Sequence, residues 1–85
     1  MRVLIFTNDD SVQARRLKEL QTELERDQVA VTMLDGNASG NVELAELYDV
    51  TRRPAVVITQ DDGQMVQRWL DEPPAAGDIA YWAHL

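Results

Sequence analysis

The stretch that decides the fold is residues 48–70, which read YDVTRRPAVVITQDDGQMVQRWL. A strand-like run, Ala55–Thr59, follows a proline, and a second run, Met65–Trp69, comes after a polar connection. That connection contains the step Asp62-Gly63, which favours a tight turn between antiparallel strands. The stretch therefore predicts a β-hairpin that begins directly after Pro54.

Upstream of the hairpin, the sequence alternates between strand and helix patterns. Consecutive apolar residues predict a strand at Arg2–Thr7 and another at Val29–Leu34. Between them, apolar residues recur at three- and four-residue spacing from Val12 to about Arg26, which predicts an amphipathic helix. Its predicted core residues are Ala14, Leu17, Leu20 and Leu24. A strand–helix–strand unit of this kind implies a right-handed parallel crossover.

Two shorter helices complete the predicted order. One is capped by Ser39 or Asn41 and runs to about Tyr48. Its predicted buried stripe is Leu44, Leu47 and Tyr48. The other follows Pro73-Pro74, with Ile79, Trp82 and Ala83 facing the core. The order β-α-β-α-β-β-α predicts an α/β fold, with a four-stranded mixed sheet and helices on both of its faces.

Composition limits the classes of function. With 85 residues and 45% hydrophobic content, the chain is expected to form one domain over residues 1–85. A net charge of −7 disfavours nucleic acid and anionic membranes, which bind surfaces rich in Lys and Arg. The apolar run Val3–Phe6 is too short for a signal peptide or a membrane span, so we expect a cytoplasmic location.

The chain contains no cysteine. Disulfides, thiolate metal sites and thiol nucleophiles are therefore excluded. We predict neither a metal nor another cofactor.

Two segments resemble the thioredoxin superfamily. Tyr48–Ile58 resembles the thioredoxin segment in which a helix ends in a Tyr-Gly-Val type turn before a cis-proline and a strand, and Gly63 sits where the family has a hairpin glycine. Phe6–Ala14 resembles the opening of glutaredoxin, where a first strand ends in a Phe-Thr-Lys type sequence before Cys-x-x-Cys. The resemblance implies a minimal thioredoxin-like domain over nearly the whole chain, with Pro54 in the cis form.

Ser11 and Ala14 stand where this family has its two cysteines. A serine hydroxyl needs an adjacent base to become a nucleophile, and the one histidine, His84, is next to the last residue. The resemblance therefore implies the family scaffold without its thiol–disulfide oxidoreductase activity. Ser11 is interpreted as a helix cap. Asp9 and Asp10 are also interpreted as helix-start residues, with a cation site or acid–base pair as the alternative.

The chain also lacks the residues that the resemblance implies for glutathione binding. The resemblance implies a lysine where Asn8 stands, and a Gly-Gly-Asp type turn where Leu70-Asp71-Glu72 stands. What remains of the family's substrate site is the loop at Pro54, where the backbone of Arg53 would meet an extended ligand. Arg52 and Arg53 would lie near Asp9, Asp10 and Ser11. They would form either an ion-pair cluster or a site in which one arginine holds a carboxylate or phosphate of a partner peptide.

Trp69 is the other candidate contact residue. It would pack on the last helix or project outward, and an exposed Trp69 beside Met65 would indicate a protein contact such as a homodimer.

The function hypothesis is a redox-inactive binding or adaptor module that takes a protein or an extended peptide at the Pro54 groove or a sheet edge. Its candidate site residues are Ser11, Arg52, Arg53, Pro54 and Trp69. The alternatives are an enzyme with non-thiol chemistry around Asp9, Asp10 and Ser11, and an accessory subunit of a redox complex.

Overall fold

The computed structural model describes residues 1–7, 11–35 and 39–85, and for residues 11, 12 and 39 it describes the main chain alone. These residues form four strands and three helices in the predicted order. The elements are β1 (Arg2–Thr7), α1 (Ser11–Arg26), β2 (Ala30–Asp35), α2 (Ser39–Leu47), β3 (Ala55–Thr59), β4 (Met65–Leu70) and α3 (Ala76–Ala83).

The strands form one mixed sheet in the order β2-β1-β3-β4. β1 runs parallel to β2 and antiparallel to β3, and β4 runs antiparallel to β3. Phe6 of β1 lies opposite both Leu34 and Ala55. The ends of β1, β2 and β4 therefore meet the start of β3 at one end of the sheet, which we call the Pro54 end. The predicted α/β fold with a four-stranded mixed sheet is confirmed.

The core lies on both faces of the sheet because the central strands alternate their side chains between them. One apolar cluster joins these strands to α1 and α3; its fully buried members include Val3, Ile5, Leu17, Leu24, Val56, Ile58 and Ile79. A second cluster faces α2 and consists of Leu4, Phe6, Ala45, Tyr48, Ala55 and Val57. Burial on both sides explains why β1 and β3 read as continuous apolar runs.

Two predicted core positions are wrong. Leu47 is 69% exposed, and α2 instead turns Ala45 and Tyr48 toward the sheet, with Leu44 half-buried. Leu47 lies about 100° before Tyr48 around the helix, so it cannot share that face. Ala14 is also exposed, in the first turn of α1. Leu17, Leu20 and Leu24 are buried as predicted, and in α3 Ile79 is fully buried while Trp82 and Ala83 are half-buried against the core.

Both α1 and α2 end in Schellman motifs without glycine. After α1, Gln28 has φ 64°, and the N–H of Val29 donates to the carbonyl of Leu24 at 2.9 Å. After α2, Asp49 has φ 54°, and the N–H of Val50 donates to the carbonyl of Ala45 at 2.7 Å. These bonds satisfy carbonyls that a helix end leaves without partners. Val29 therefore closes α1, and β2 begins one residue later than predicted.

The hairpin between β3 and β4 turns at Gly63, whose φ of 92° suits glycine. Its N–H donates to the carbonyl of Gln60 at 2.9 Å, and the N–H of Gln64 donates to Asp62 Oδ1 at 3.0 Å. The predicted turn at Asp62-Gly63 is therefore confirmed. None of the helices described has the length and apolar character needed to cross a bilayer.

Candidate functional site

The loop before β3 is fixed at Pro54. Pro54 is buried, and the peptide bond that joins it to Arg53 is cis. Its carbonyl accepts a hydrogen bond of 3.0 Å from the N–H of Asp71, which follows β4. This bond ties two segments of the Pro54 end to each other although they are distant in sequence.

The start of α1 lies at the same end of the sheet. β1 finishes there at Thr7, and the main chain of α1 begins at Ser11. Four residues of chain span at most about 14 Å, so the start of α1 stays near the loop. The side chain of Ser11 and all of Asn8, Asp9 and Asp10 lie outside the residues described. The predicted helix cap, ion-pair cluster and acid–base pair therefore stay predictions.

The two arginines of the loop differ in burial. Arg52 is exposed, whereas Arg53 is half-buried beside the buried ring of Pro54. The loop residues Arg52, Arg53 and Pro54 and the main chain of Ser11 thus lie at the same end of the sheet. Arg52 presents its side chain to solvent at this end.

The turn after β4 has a backbone conformation that favours glycine. Asp71 has φ 76°, a left-handed conformation, and the N–H of Glu72 donates to the carbonyl of Leu70 at 2.9 Å. An L-residue in this region costs about 1–2 kcal/mol relative to glycine. Asp71 therefore adopts a conformation that glycine would adopt at lower cost.

A cavity of about 270 Å³ opens beside this turn, lined by Gln13, Arg16, Glu72 and Pro73. One terminal nitrogen of Arg16 donates to the carbonyl of Pro73 at 3.3 Å, which holds the guanidinium at the cavity wall. A second cavity of about 240 Å³ continues along α1 and shares Arg16 with the first. The two cavities together form a groove next to the Pro54 end, and both polar and apolar residues line it.

Sequence reasoning missed these four lining residues. Gln13 and Arg16 are one helical turn apart in α1, and Glu72 and Pro73 lie between β4 and α3. The spacing of Gln13 and Arg16 indicates a shared helix face. The resemblance pointed to Leu70-Asp71-Glu72, but nothing in the sequence showed that this segment lies opposite α1.

Trp69 is not among the residues that line the two cavities. It is half-buried opposite Val56 and packs against the apolar cluster under α1 and α3. Met65 is 46% exposed. Trp69 therefore contributes to the core, and the exposed pair with Met65 that would have indicated a dimer is not formed.

Within the described ranges, no group of three or more His, Asp or Glu side chains is placed to hold a metal ion.

Comparisons with known proteins identify the fold. No family model and no curated protein sequence matches the chain. Its structure is similar to that of thioredoxin 1 from the thermophilic eubacterium Thermosipho africanus TCF52B, with a TM-score of 0.73 over 99% of this chain and 91% of that one. Sequence identity is 19%, so the similarity establishes the fold alone. The absence of cysteine rules out the thiol–disulfide exchange of thioredoxins. The chain therefore has a thioredoxin-like fold without the thiols that such exchange requires.

Proposed function

We propose that this chain is a redox-inactive thioredoxin-like domain that binds an extended peptide segment of a partner protein at the Pro54 end of the sheet. The observation that carries the proposal is the 3.0 Å bond between Asp71 N and Pro54 O. It fixes the Pro54 loop beside the cavity that Glu72 lines. A rigid, preformed groove loses little conformational entropy when a peptide binds.

The groove offers several kinds of contact to a peptide. Arg52 is exposed on the loop, and Arg16, one of whose terminal nitrogens donates to the carbonyl of Pro73, lies at the cavity wall. A guanidinium holds a carboxylate through two parallel hydrogen bonds, which fixes the orientation of the bound group. We therefore expect the peptide to carry an acidic residue that Arg52 contacts.

Charge influences where on this chain an acidic peptide is expected to bind. The chain has a net charge of −7, so an acidic peptide is repelled by most of its surface. Arg16, Arg52 and Arg53 supply positive charge at the Pro54 end, where the carboxylates of Asp71 and Glu72 also lie. We therefore expect an acidic residue of the peptide to contact Arg52 on the loop, away from the part of the cavity that Glu72 lines.

Panning a random twelve-residue peptide library against the purified chain tests the proposal. We expect peptides that share an acidic position, and we expect Arg52→Glu to weaken their binding at least tenfold in a titration. Arg26→Glu is the matched control because it changes the net charge equally and lies at the far end of α1. No enrichment, or equal loss in both variants, would contradict the proposal.

A further inference from the structure

A third cavity, of about 170 Å³, lies at the end of the sheet opposite Pro54, on the face that α2 covers. Its apolar walls are Leu4 of β1, Leu44 of α2 and Tyr48, which directly follows α2. Arg2 and Thr59 also line this cavity, and they lie opposite each other in β1 and β3. It shares no lining residue with the two cavities near the Pro54 end, so a ligand bound here would not occupy them.

Thr59 brings an unpartnered polar group to this cavity. The residue is only 4% exposed, and its hydroxyl forms no hydrogen bond with any other residue that the structure describes. In the same part of the chain, no fully enclosed side-chain oxygen or nitrogen lacks a partner, so the Thr59 oxygen is reachable from the cavity. Buried hydroxyls normally have a partner. Thr59 therefore has a donor available for a bound molecule.

Arg2 supplies positive charge at the mouth of the cavity. It is exposed and forms no ion pair with another residue in the described ranges. The carboxylate of Asp61 also reaches the mouth, but its side chain is 96% exposed and lies 3.6 Å from the amino group of Met1. Water and this neighbouring cation weaken the repulsion between Asp61 and a bound anion. The mouth is therefore suited to an anionic group beside Arg2.

We propose that this cavity binds a small carboxylate whose apolar body is about the size of a benzene ring. The body contacts Leu4, Leu44 and Tyr48, and the carboxylate accepts hydrogen bonds from the Arg2 guanidinium and the Thr59 hydroxyl.

Size and spacing support this class of ligand. An apolar cavity of about 150 Å³ holds a benzene molecule, so the volume here suits a ring. Side chains directly opposite each other on antiparallel strands have Cβ atoms about 5 Å apart, which lets Arg2 and Thr59 reach the two oxygens of one carboxylate. The Tyr48 hydroxyl already donates to the carbonyl of Gly63 at 2.8 Å, which fixes the ring of Tyr48 as a wall.

Benzoate is the probe, and benzamide is its neutral control of the same shape. In ¹H–¹⁵N NMR of the whole chain, benzoate should shift the amide signals of Leu44 and Thr59 saturably, with a dissociation constant on the order of 1 mM for a ligand of this size. Benzamide should bind at least about fivefold more weakly, because it carries no charge to pair with Arg2.

Thr59→Val tests the buried donor. Valine keeps the shape of the side chain, so the variant should fold, and it should bind benzoate at least about threefold more weakly. It should also raise the urea midpoint of the ligand-free protein, because it removes an unpartnered hydroxyl from a buried position. A lower midpoint would show that the hydroxyl is already partnered and would overturn the proposal.

Arg2→Gln tests the charge. It should weaken benzoate binding about fivefold, whereas Arg52→Gln, which removes the same charge at the Pro54 end, should leave the affinity unchanged. No saturable shift near Thr59, equal affinity for benzoate and benzamide, or the same loss in both arginine variants would overturn the proposal. Arg2→Gln should leave peptide binding at the Pro54 end unchanged, so this result is separate from the proposed function.

Discussion

Three residues other than glycine adopt left-handed backbone conformations among those described: Gln28, Asp49 and Asp71. The first two end helices, where the conformation lets the following N–H groups bond the last carbonyls. Asp71 instead lies at the Pro54 end. Strained backbone persists where surrounding contacts fix it, and here the bond to Pro54 does so. Asp71 therefore contributes to the shape of the candidate site.

Gln28→Gly should stabilise the protein. Glycine removes the steric cost of φ 64°, about 1–2 kcal/mol, and gives back part of it through the greater entropy of the unfolded chain. We expect a net gain of about 0.5–1 kcal/mol in the free energy of unfolding, measured by urea denaturation.

Asp27→Gly is the matched control, since residue 27 has no positive φ. Glycine there should lower the free energy of unfolding by up to about 1 kcal/mol. If both glycine variants changed stability in the same direction, the strain assigned to Gln28 would be wrong.

The backbone conformation at a single position was predictable where the residue type itself indicates it. Gly63 marked its turn because glycine is the residue that tolerates its φ. Gln28 and Asp49 gave no such signal, because neither residue type favours the left-handed region as glycine does. Leu47 was misassigned because hydrophobic spacing leaves the rotation of a nine-residue helix undetermined.

The end of α2 is held by the hairpin. Arg68 of β4 donates to the carbonyls of Tyr48 and Asp49, each at 3.0 Å, and the hydroxyl of Tyr48 donates to the carbonyl of Gly63 at 2.8 Å. A cation at the carboxyl end of a helix also suits the helix dipole. Arg68 therefore stabilises α2 against the sheet.

Arg68→Ala should lower the free energy of unfolding by about 1–2 kcal/mol, because it removes two hydrogen bonds from a charged donor that is partly exposed. Asp49→Asn should cost less than about 0.5 kcal/mol, since the Asp49 carboxylate is 80% exposed and lies 3.6 Å from Arg68. Urea denaturation measures both. A cost for Asp49→Asn as large as that for Arg68→Ala would show that the ion pair, and not the carbonyl contacts, holds α2.

The order of the elements was predictable because strand and helix periods differ along the chain. The boundaries of the elements were less predictable. Val29 is buried and apolar like a strand residue, but it belongs to the turn that closes α1. The role of Arg68 was not predictable, because its contacts join two elements through main-chain carbonyls, and main-chain groups carry no sequence signal.

The chain keeps a thioredoxin-like fold although it has no cysteine. Its core explains this: apolar side chains of β1 and β3 pack on both faces of the sheet, and this packing requires no thiol. The end of the sheet that holds the candidate site was predictable from Pro54 and the hairpin. The groove was not, because its walls come from α1 and from the segment after β4, which are far apart in sequence.

The scaffold should accept a dithiol. Ser11 and Ala14 are three residues apart in α1, so Ser11→Cys/Ala14→Cys should form an intramolecular disulfide, seen as loss of free thiols without dimer formation. The wild-type chain, which has no thiol, should reduce insulin no faster than buffer.

Ser11→Cys alone is the control for the double variant, and it should form no intramolecular disulfide. A double variant that forms only intermolecular disulfides would show that the start of α1 differs from that of a thioredoxin.

Mapping a library-selected peptide by ¹H–¹⁵N NMR decides whether the Pro54 end is a binding site. We expect the amide signals of Gln13, Arg16, Arg52, Asp71 and Glu72 to shift on titration, while those of Asp61 and Gly63, in the hairpin at the opposite end of the sheet, stay in place. Shifts confined to the hairpin or to β2, or no saturable shift at all, would contradict the proposed function.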